Sequence, residues 1–171
     1  MKAAVRYSIF ETKWGYFGLA ATDSGLCRTC LPLASKEKVK AALLKGLAEA
    51  QYEEGLFKPL QGQIKAYYNG TYVDFGNSVP LDLSAFTSFG RDFLKACRKI
   101  EPGRTVTYRQ LAQEAQRPNA PRAAGSVMAK NPLPLIIPCH RIIRADGKIG
   151  NFSAPGGPSL KRRMLLHEQI F

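Results

Sequence analysis

The residues with the clearest chemical potential lie together, at Pro138, Cys139, His140 and Arg141, where the hydrophobic run NPLPLIIPCHR ends. A thiol is only a few per cent thiolate at neutral pH, so a nucleophilic cysteine needs a proton acceptor and positive surroundings. His140 and Arg141 supply both, and His140 acts either directly or through a water, since sequence neighbours often point apart. The pattern indicates a nucleophile, with a buried structural cysteine as the alternative.

The other cysteines serve as a comparison. Cys97 falls on the apolar face of a predicted helix and is expected in the core. Cys27 and Cys30 form a CxxC pair inside a predicted strand, where residues three apart face opposite sides. The only histidines are His140 and His167, so a four-ligand zinc site would have to consume Cys139. We therefore expect no metal, no cofactor and reduced thiols.

Charge is unevenly distributed along the chain of 171 residues, which has a net charge of +12. Residues 1–86 carry ten basic and eight acidic side chains, whereas residues 87–171 carry fifteen basic and five acidic ones. A field this positive predicts a polyanionic partner for the C-terminal half. No apolar stretch is long enough for a membrane helix, and the first residues lack a signal-peptide core.

The N-terminal part reads as an α/β domain, predicted over 1–78. Alternating hydrophobicity predicts an antiparallel meander, and helical spacing predicts helices after it, the first capped by Ser35. The predicted strands are Val5–Thr12, Trp14–Thr22, Leu26–Leu31 and Tyr72–Phe75, and the predicted helices are Lys36–Ala50 and Pro59–Tyr68.

The C-terminal part, predicted over 87–171 after a connection at 79–86, is mostly helical. An amphipathic pattern predicts a helix over Thr87–Lys99. Thr107 and Gln110 form a capping-box pattern that opens a helix to about Gln116, and Pro121 suits the first turn of a helix over Pro121–Lys130. Two short helices joined by a tight turn in a basic segment are typical of a helix-turn-helix.

A family resemblance rests on these motifs. PCHR at 138–141, Asn131-Pro132-x-Pro134 before it and Gly147-x-Ile149-Gly150-Asn151-Phe152-Ser153 after it closely resemble the O6-alkylguanine-DNA alkyltransferases, also called methylated-DNA–protein-cysteine methyltransferases. The similarity extends through Thr105–Tyr108 and Arg122–Met128 to Leu165–Glu168, and covers about residues 87–168.

The resemblance implies a ribonuclease-H-like N-terminal domain followed by a winged-helix-type helix-turn-helix domain. The helix at Pro121 would enter the minor groove, and its small residues permit a close approach; such binding is weakly sequence-selective. Arg122 would intrude into the duplex while the damaged base is extruded, with a simple phosphate contact as the alternative. Further DNA contacts would come from Tyr108, Ala123, Ala124, Gly125, Ser126 and Arg141.

The resemblance also implies a chemistry. The Cys139 thiolate would attack the alkyl carbon on O6 of guanine, and His140, oriented by Glu168, would deprotonate Cys139 through a water. Tyr108 would donate a hydrogen bond or proton near N3, and Asn131 would hold the turn before the active-site strand. Because the thioether product has no easy hydrolytic exit, each molecule would act once.

The implied substrate pocket is larger than this catalytic group. The Ser153 N–H would contact O6, and the carbonyls of Cys139 and Ile142 would bind the exocyclic amine. The pocket walls would come from Met128, Pro134, Ile149, Gly150, Asn151 and Phe152.

The expected partner is double-stranded DNA containing O6-alkylguanine, with O4-alkylthymine left open as a second substrate. We expect a monomer in the cytoplasm, or in the nucleus of a eukaryote. Alternatives are a non-catalytic lesion binder of the same architecture, a helix-turn-helix transcription regulator and a Cys-His hydrolase. Cys139 argues against a non-catalytic lesion binder. The lack of side chains for major-groove readout argues against a transcription regulator. A hydrolase would give no reason for the basic C-terminal half.

Overall fold

A computed structural model of the protein describes residues 4–47, 49–76 and 79–169, and parts of the predicted domains 1–78 and 87–171 lie outside these ranges. The chain divides into two compact units, Met1–Leu83 and Ser84–Phe171. The first unit extends beyond residue 78 because Leu26 binds the segment that follows. Its N–H donates to the Pro80 carbonyl and its carbonyl accepts from the Asp82 N–H, both at 2.9 Å.

The first unit is built on a four-stranded sheet. Its strands are β1 (Val5–Thr12), β2 (Gly15–Thr22), β3 (Gly25–Leu33) and β4 (Ala50–Tyr52), in the order β3-β2-β1-β4. The predicted antiparallel meander of β1, β2 and β3 is confirmed. β4 pairs with β1 in parallel and makes the sheet mixed.

Two helices, α1 (Lys36–Leu43) and α2 (Lys58–Tyr68), follow the meander. The Ser35 side chain accepts from the Lys38 N–H, as the cap prediction requires. The prediction that the first helix continues to Ala50 is wrong, because Ala50 belongs to β4, where pairing with β1 outweighs helical spacing. No strand forms over the described residues 72–75, where Phe75 is buried with its ring 5.9 Å from that of Tyr67.

The second unit is mostly helical. It contains α3 (Ser88–Arg98), β5 (Val106–Thr107), α4 (Tyr108–Glu114), α5 (Pro121–Ala129), a single 3₁₀ turn (Cys139–Arg141), β6 (Ile142–Ile143) and α6 (Gly157–His167). Parallel pairing of β5 with β6 brings the start of α4 beside the segment that carries Cys139. Among the described residues, none of the helices has the length and apolar character needed to cross a bilayer.

Local signals set the helix ends in this unit. Thr107 and Gln110 satisfy each other's free backbone N–H groups, so the predicted capping box is confirmed, and Pro121 occupies the first turn of α5. Thr87 caps α3 by accepting from the Gly90 N–H. The end of α4 comes two residues before the predicted Gln116, which has a φ of 59° and cannot continue an α-helix.

Candidate active site

The nucleophile candidate is held by a rigid loop between α5 and the 3₁₀ turn. The Asn131 amide donates to the Ile137 carbonyl at 2.8 Å and its oxygen accepts from the Leu133 N–H at 3.0 Å. Ile137 N–H also donates to the Leu133 carbonyl, which closes a loop around Leu135, a non-glycine residue with a φ of 76°. The predicted strand at Cys139 is therefore a 3₁₀ turn, and Asn131 secures the loop before it.

His140 and Glu168 form a buried pair. His140 Nε2 lies 2.8 Å from Glu168 Oε1, and the two side chains are 0% and 3% exposed. Burial lowers the pKa of His140, although the carboxylate opposes this, so the imidazole is neutral near pH 7. A neutral imidazole facing a carboxylate carries its proton on Nε2. Nδ1 is then an acceptor, and it is buried without a hydrogen bond to any described residue.

The same carboxylate is also bound by Arg141, which contacts both of its oxygens. Its Nε and Nη2 donate to the two Glu168 oxygens at 2.9 and 2.8 Å, and Nη1 donates to the Ile100 carbonyl at 2.6 Å. Burial would raise the pKa of Glu168, but the hydrogen bonds and charges of His140 and Arg141 outweigh it and hold the pKa well below its usual range. Arg141 is 3% exposed, so its predicted role as a DNA contact is wrong.

Cys139 is buried yet reaches a cavity. It is 7% exposed and lines an open cavity of about 570 Å³. Burial raises the pKa of its thiol, while a hydrogen bond from Asn131, the charge of Lys161 and two backbone N–H groups act in the opposite direction. The resting sulfur is therefore a thiol, surrounded by groups that stabilise its thiolate.

The cavity brings together residues from four parts of the second unit. Its lining consists of Tyr108, Arg122, Gly125, Ser126, Met128, Ala129, Cys139, Arg144, Gly150, Asn151, Phe152 and Ser153. Most of the predicted pocket residues are among them. Pro134, Ile142 and Ile149, also predicted for the pocket, are absent from this described lining, and Ile142 is fully buried behind it.

Tyr108 enters the cavity from the first residue of α4. Burial raises the pKa of its hydroxyl, and the nearby Cys139 and Cys97 add to the increase. The hydroxyl therefore remains a proton donor over the neutral range. Its ring lies across from α5, where a Cβ placed on Gly125 would be 3.9 Å from two ring carbons. A small residue in α5 thus leaves room for the Tyr108 ring.

The side of α5 that borders the cavity is partly open to solvent. Arg122 and Ser126 are exposed, and Ala123 and Gly125 are half-buried. Ala124 is fully buried on the opposite side of the helix, so its predicted DNA contact is wrong. The side chains of Ala123, Gly125 and Ser126 are short, so they project little from the helix surface beside Arg122.

Lys161 is a site residue that the sequence motifs did not indicate. Lys161 is 1% exposed, and its ammonium donates to the Asn151 carbonyl at 3.4 Å. Burial lowers its pKa to about 8, although Cys139 and Cys97 oppose this. The signal was present in the helix spacing, because Lys161 lies three and four residues before the buried Met164 and Leu165 and must share their face.

The remaining cysteines lie outside this site. Cys27, Cys30 and Cys97 are free thiols, and burial raises the pKa of Cys30 to about 11. The described residues contain no group of three or more His, Cys, Asp or Glu side chains able to hold a metal ion.

Comparison with known proteins places this site in a family. A mouse methylated-DNA–protein-cysteine methyltransferase is 48% identical over 174 aligned residues, which cover 97% of this chain and 82% of the mouse protein. The chain belongs to the methylated-DNA–protein-cysteine methyltransferase family. The resemblance drawn from the PCHR, Asn131 and Gly147–Ser153 motifs is confirmed.

A family profile, a second relative and a solved structure also support membership of the methyltransferase family. The profile "6-O-methylguanine DNA methyltransferase, DNA binding domain" matches residues 88–170. A Methanothermobacter thermautotrophicus relative is 40% identical, and the alignment covers 66% of this chain but only 61% of that protein. The crystal structure of Mycobacterium tuberculosis OGT in complex with DNA superposes with a TM-score of 0.77 at 30% identity, covering 96% of this chain and 92% of that one.

Proposed function

We propose that this protein repairs DNA by transferring an alkyl group to Cys139 from O6 of guanine, with O4-alkylthymine as a second candidate substrate. One observation carries the proposal. In a chain of the methyltransferase family, Cys139 faces an open cavity, while the adjacent His140 bonds to the buried carboxylate of Glu168. The 3₁₀ turn thus holds the nucleophile and the base, and the end of α6 holds the carboxylate that orients the base.

The proton of Cys139 leaves through His140. A water between Sγ and Nδ1 carries it, because Nδ1 is the free acceptor of an imidazole whose Nε2–H is bound by Glu168. The carboxylate stabilises the resulting imidazolium, and Arg141 fixes the carboxylate by binding both of its oxygens. Asn131 and Lys161 stabilise the thiolate that remains.

The thiolate then attacks the alkyl carbon in line with the bond to O6. The S–C bond forms as the C–O6 bond breaks, and its electron pair passes into the guanine ring. Tyr108 donates its proton toward N3, and the Ser153 N–H binds O6, so guanine leaves without a full negative charge. The product is an S-alkylcysteine, whose carbon lacks the electrophilicity of a thioester. The protein therefore acts once per molecule.

Double-stranded DNA containing O6-alkylguanine is the partner, bound by a monomer. We assign the first unit to a ribonuclease-H-like fold and the second to a winged-helix-type helix-turn-helix, with α4 and α5 as its two helices. The accessible small residues Ala123, Gly125 and Ser126 support insertion of α5 into the minor groove, where bulkier side chains would clash. Arg122 occupies the space left by the extruded nucleotide.

The cytoplasm, or the nucleus of a eukaryotic cell, is the compartment for this work. DNA lies there, and its reducing conditions keep the Cys139 thiol available.

The test is stoichiometric transfer. The protein is incubated with a duplex oligonucleotide containing O6-methylguanine, and its intact mass is measured. We expect one added methyl group in the natural protein and in the matched variant Cys27→Ala, and none in Cys139→Ala. Restoration of guanine without a heavier protein would refute the proposal, and binding without restoration would instead indicate a lesion-binding protein.

A further inference from the structure

The cavity is lined by a second arginine that the mechanism does not use. Arg122 and Arg144 both border it, Arg122 from the start of α5 and Arg144 from the turn after β6. No Asp or Glu side chain is among the described lining residues. The described lining therefore contains two cationic side chains and no anionic one, and only Arg122 has a role in the proposed mechanism.

Arg144 is held by a closed turn. Its carbonyl accepts from the Gly147 N–H and its N–H donates to the Lys148 carbonyl, both at 3.0 Å. The Asp146 side chain accepts from the Lys148 N–H at 3.0 Å, and Gly147 has a φ of 79° that suits this tight turn. The backbone of Arg144 thus has a fixed position beside the cavity.

The two ends of the Arg144 side chain have different environments. Its stem lies over the cavity wall, because a Cβ placed on Gly150 would be 3.2 Å from Arg144 Cγ. Its guanidinium is 2.9 Å from Asp146 Oδ2, in an ion pair whose side chains are 57% and 41% exposed. An ion pair this exposed contributes little to stability, so Asp146 can be exchanged for another anion at small cost.

We propose that Arg144 binds a backbone phosphate next to the extruded nucleotide. Its ion pair with Asp146 breaks when this phosphate contact forms. The inference rests on the proposed function, because only base extrusion into this cavity brings the flanking phosphates to its opening. A guanidinium on a rigid turn offers a phosphate two parallel N–H donors. Arg122 enters the duplex, whereas Arg144 holds the strand through its phosphate.

The test uses Arg144→Gln with Lys148→Gln as its matched control. Lys148 is an exposed cation in the same turn that does not line the cavity. Each protein reacts with O6-methylguanine duplexes in which one phosphate at a time, on either side of the lesion, is replaced by a neutral methylphosphonate. We expect Arg144→Gln to slow repair about ten- to hundredfold, as for loss of a hydrogen bond to a charged group.

The decisive result is whether the effects of the protein substitution and of the methylphosphonate on the repair rate are additive. At one flanking phosphate the methylphosphonate is expected to slow the natural protein but to add nothing in Arg144→Gln, whereas Lys148→Gln is additive at every position. Asp146→Asn, which keeps the oxygen that accepts from Lys148, is expected to speed duplex repair. Additivity at every phosphate overturns the proposal, and slower repair by Asp146→Asn overturns the exchange of anions.

A second substrate separates this proposal from the proposed function. Free O6-benzylguanine has no phosphates, so the fold-loss of rate in Arg144→Gln is expected to be much smaller with it than with duplex DNA, and its reaction also shows that the variant is folded. An equal fold-loss on both substrates overturns the phosphate contact and assigns Arg144 to the reaction in the cavity that it lines. If the natural protein itself gains no alkyl group from either substrate, the proposed function fails instead.

Discussion

His140 Nε2 lies 2.8 Å from a carboxylate oxygen of Glu168, a residue 28 positions further along the chain. The two belong to different elements, the 3₁₀ turn and the end of α6. Arg141 binds both oxygens of the same carboxylate. The contact therefore links the segment that carries Cys139 to the end of the last helix, and changes at Glu168 are expected to alter both reactivity and stability.

Glu168→Gln is expected to slow alkyl transfer and to destabilise the fold. The amide cannot stabilise an imidazolium, and it leaves the buried guanidinium of Arg141 without a counter-charge. Loss of one partner of such a pair costs about 3–5 kcal/mol of unfolding free energy. Denaturant unfolding and the reaction with free O6-benzylguanine measure the two effects. The exposed Glu101→Gln is the control, and equal behaviour of the two variants would contradict the role of Glu168.

Lys161→Met is expected to lower the reactivity of Cys139 while preserving stability. Removing a nearby cation raises the pKa of the thiol, so the reaction with iodoacetamide should move to higher pH. Because a buried lysine is replaced by a side chain of similar shape, the unfolding free energy should change by less than about 1 kcal/mol or increase. The exposed Arg162→Gln in the same helix is the control. An unshifted pH profile for Lys161→Met would refute the electrostatic role.

Arg122→Ala is expected to slow repair of duplex DNA but not the reaction with free O6-benzylguanine. Unstacking a base costs a few kcal/mol, and losing part of the compensation corresponds to about a ten- to hundredfold slower rate. Single-turnover rates on both substrates measure it, with Lys95→Ala, an exposed change on α3, as the control. Equal losses on both substrates would assign Arg122 to the chemistry or the fold.

Binding to undamaged duplex DNA is expected to weaken steeply with salt and to depend little on sequence. Contacts to phosphates release counterions, and the minor groove offers few features that distinguish base pairs. Titrations of two unrelated duplexes at several salt concentrations measure both properties. A flat salt profile or a strong preference for one duplex would argue against this binding mode.

The unfolding free energy is expected to fall as the pH drops below about 6.5, the ordinary pKa of histidine. Burial lowers the pKa of His140 in the folded protein, so the unfolded chain takes up this proton first. The pKa of Glu168 is also lower in the folded state, and its stabilisation is lost as the pH falls below about 4.3. Denaturant unfolding from pH 8 to about pH 3 measures both losses. His140→Gln should abolish the fall in unfolding free energy that begins near pH 6.5. The same pH profile in this variant and in the natural protein would contradict the assignment to His140.

Local signals predicted most of the elements that position the site. The predicted caps at Ser35 and Thr107 are short-range hydrogen bonds, so neighbouring residues suffice to define them. The errors occur where pairing is long-range. β4 forms because Ala50–Tyr52 meets β1, more than forty residues earlier, and no local periodicity records that contact.

The sequence by itself determined the family, the candidate nucleophile and the basic C-terminal half, because these depend on residue types and spacing. Only the tertiary structure decided that Arg141 turns inward to Glu168, that Ala124 faces the core and that Lys161 lies buried near Cys139. The physical reason is that the direction and desolvation of a side chain are set by what packs against it. For a charged side chain, this packing decides whether the group can contact DNA or instead forms an ion pair inside the protein.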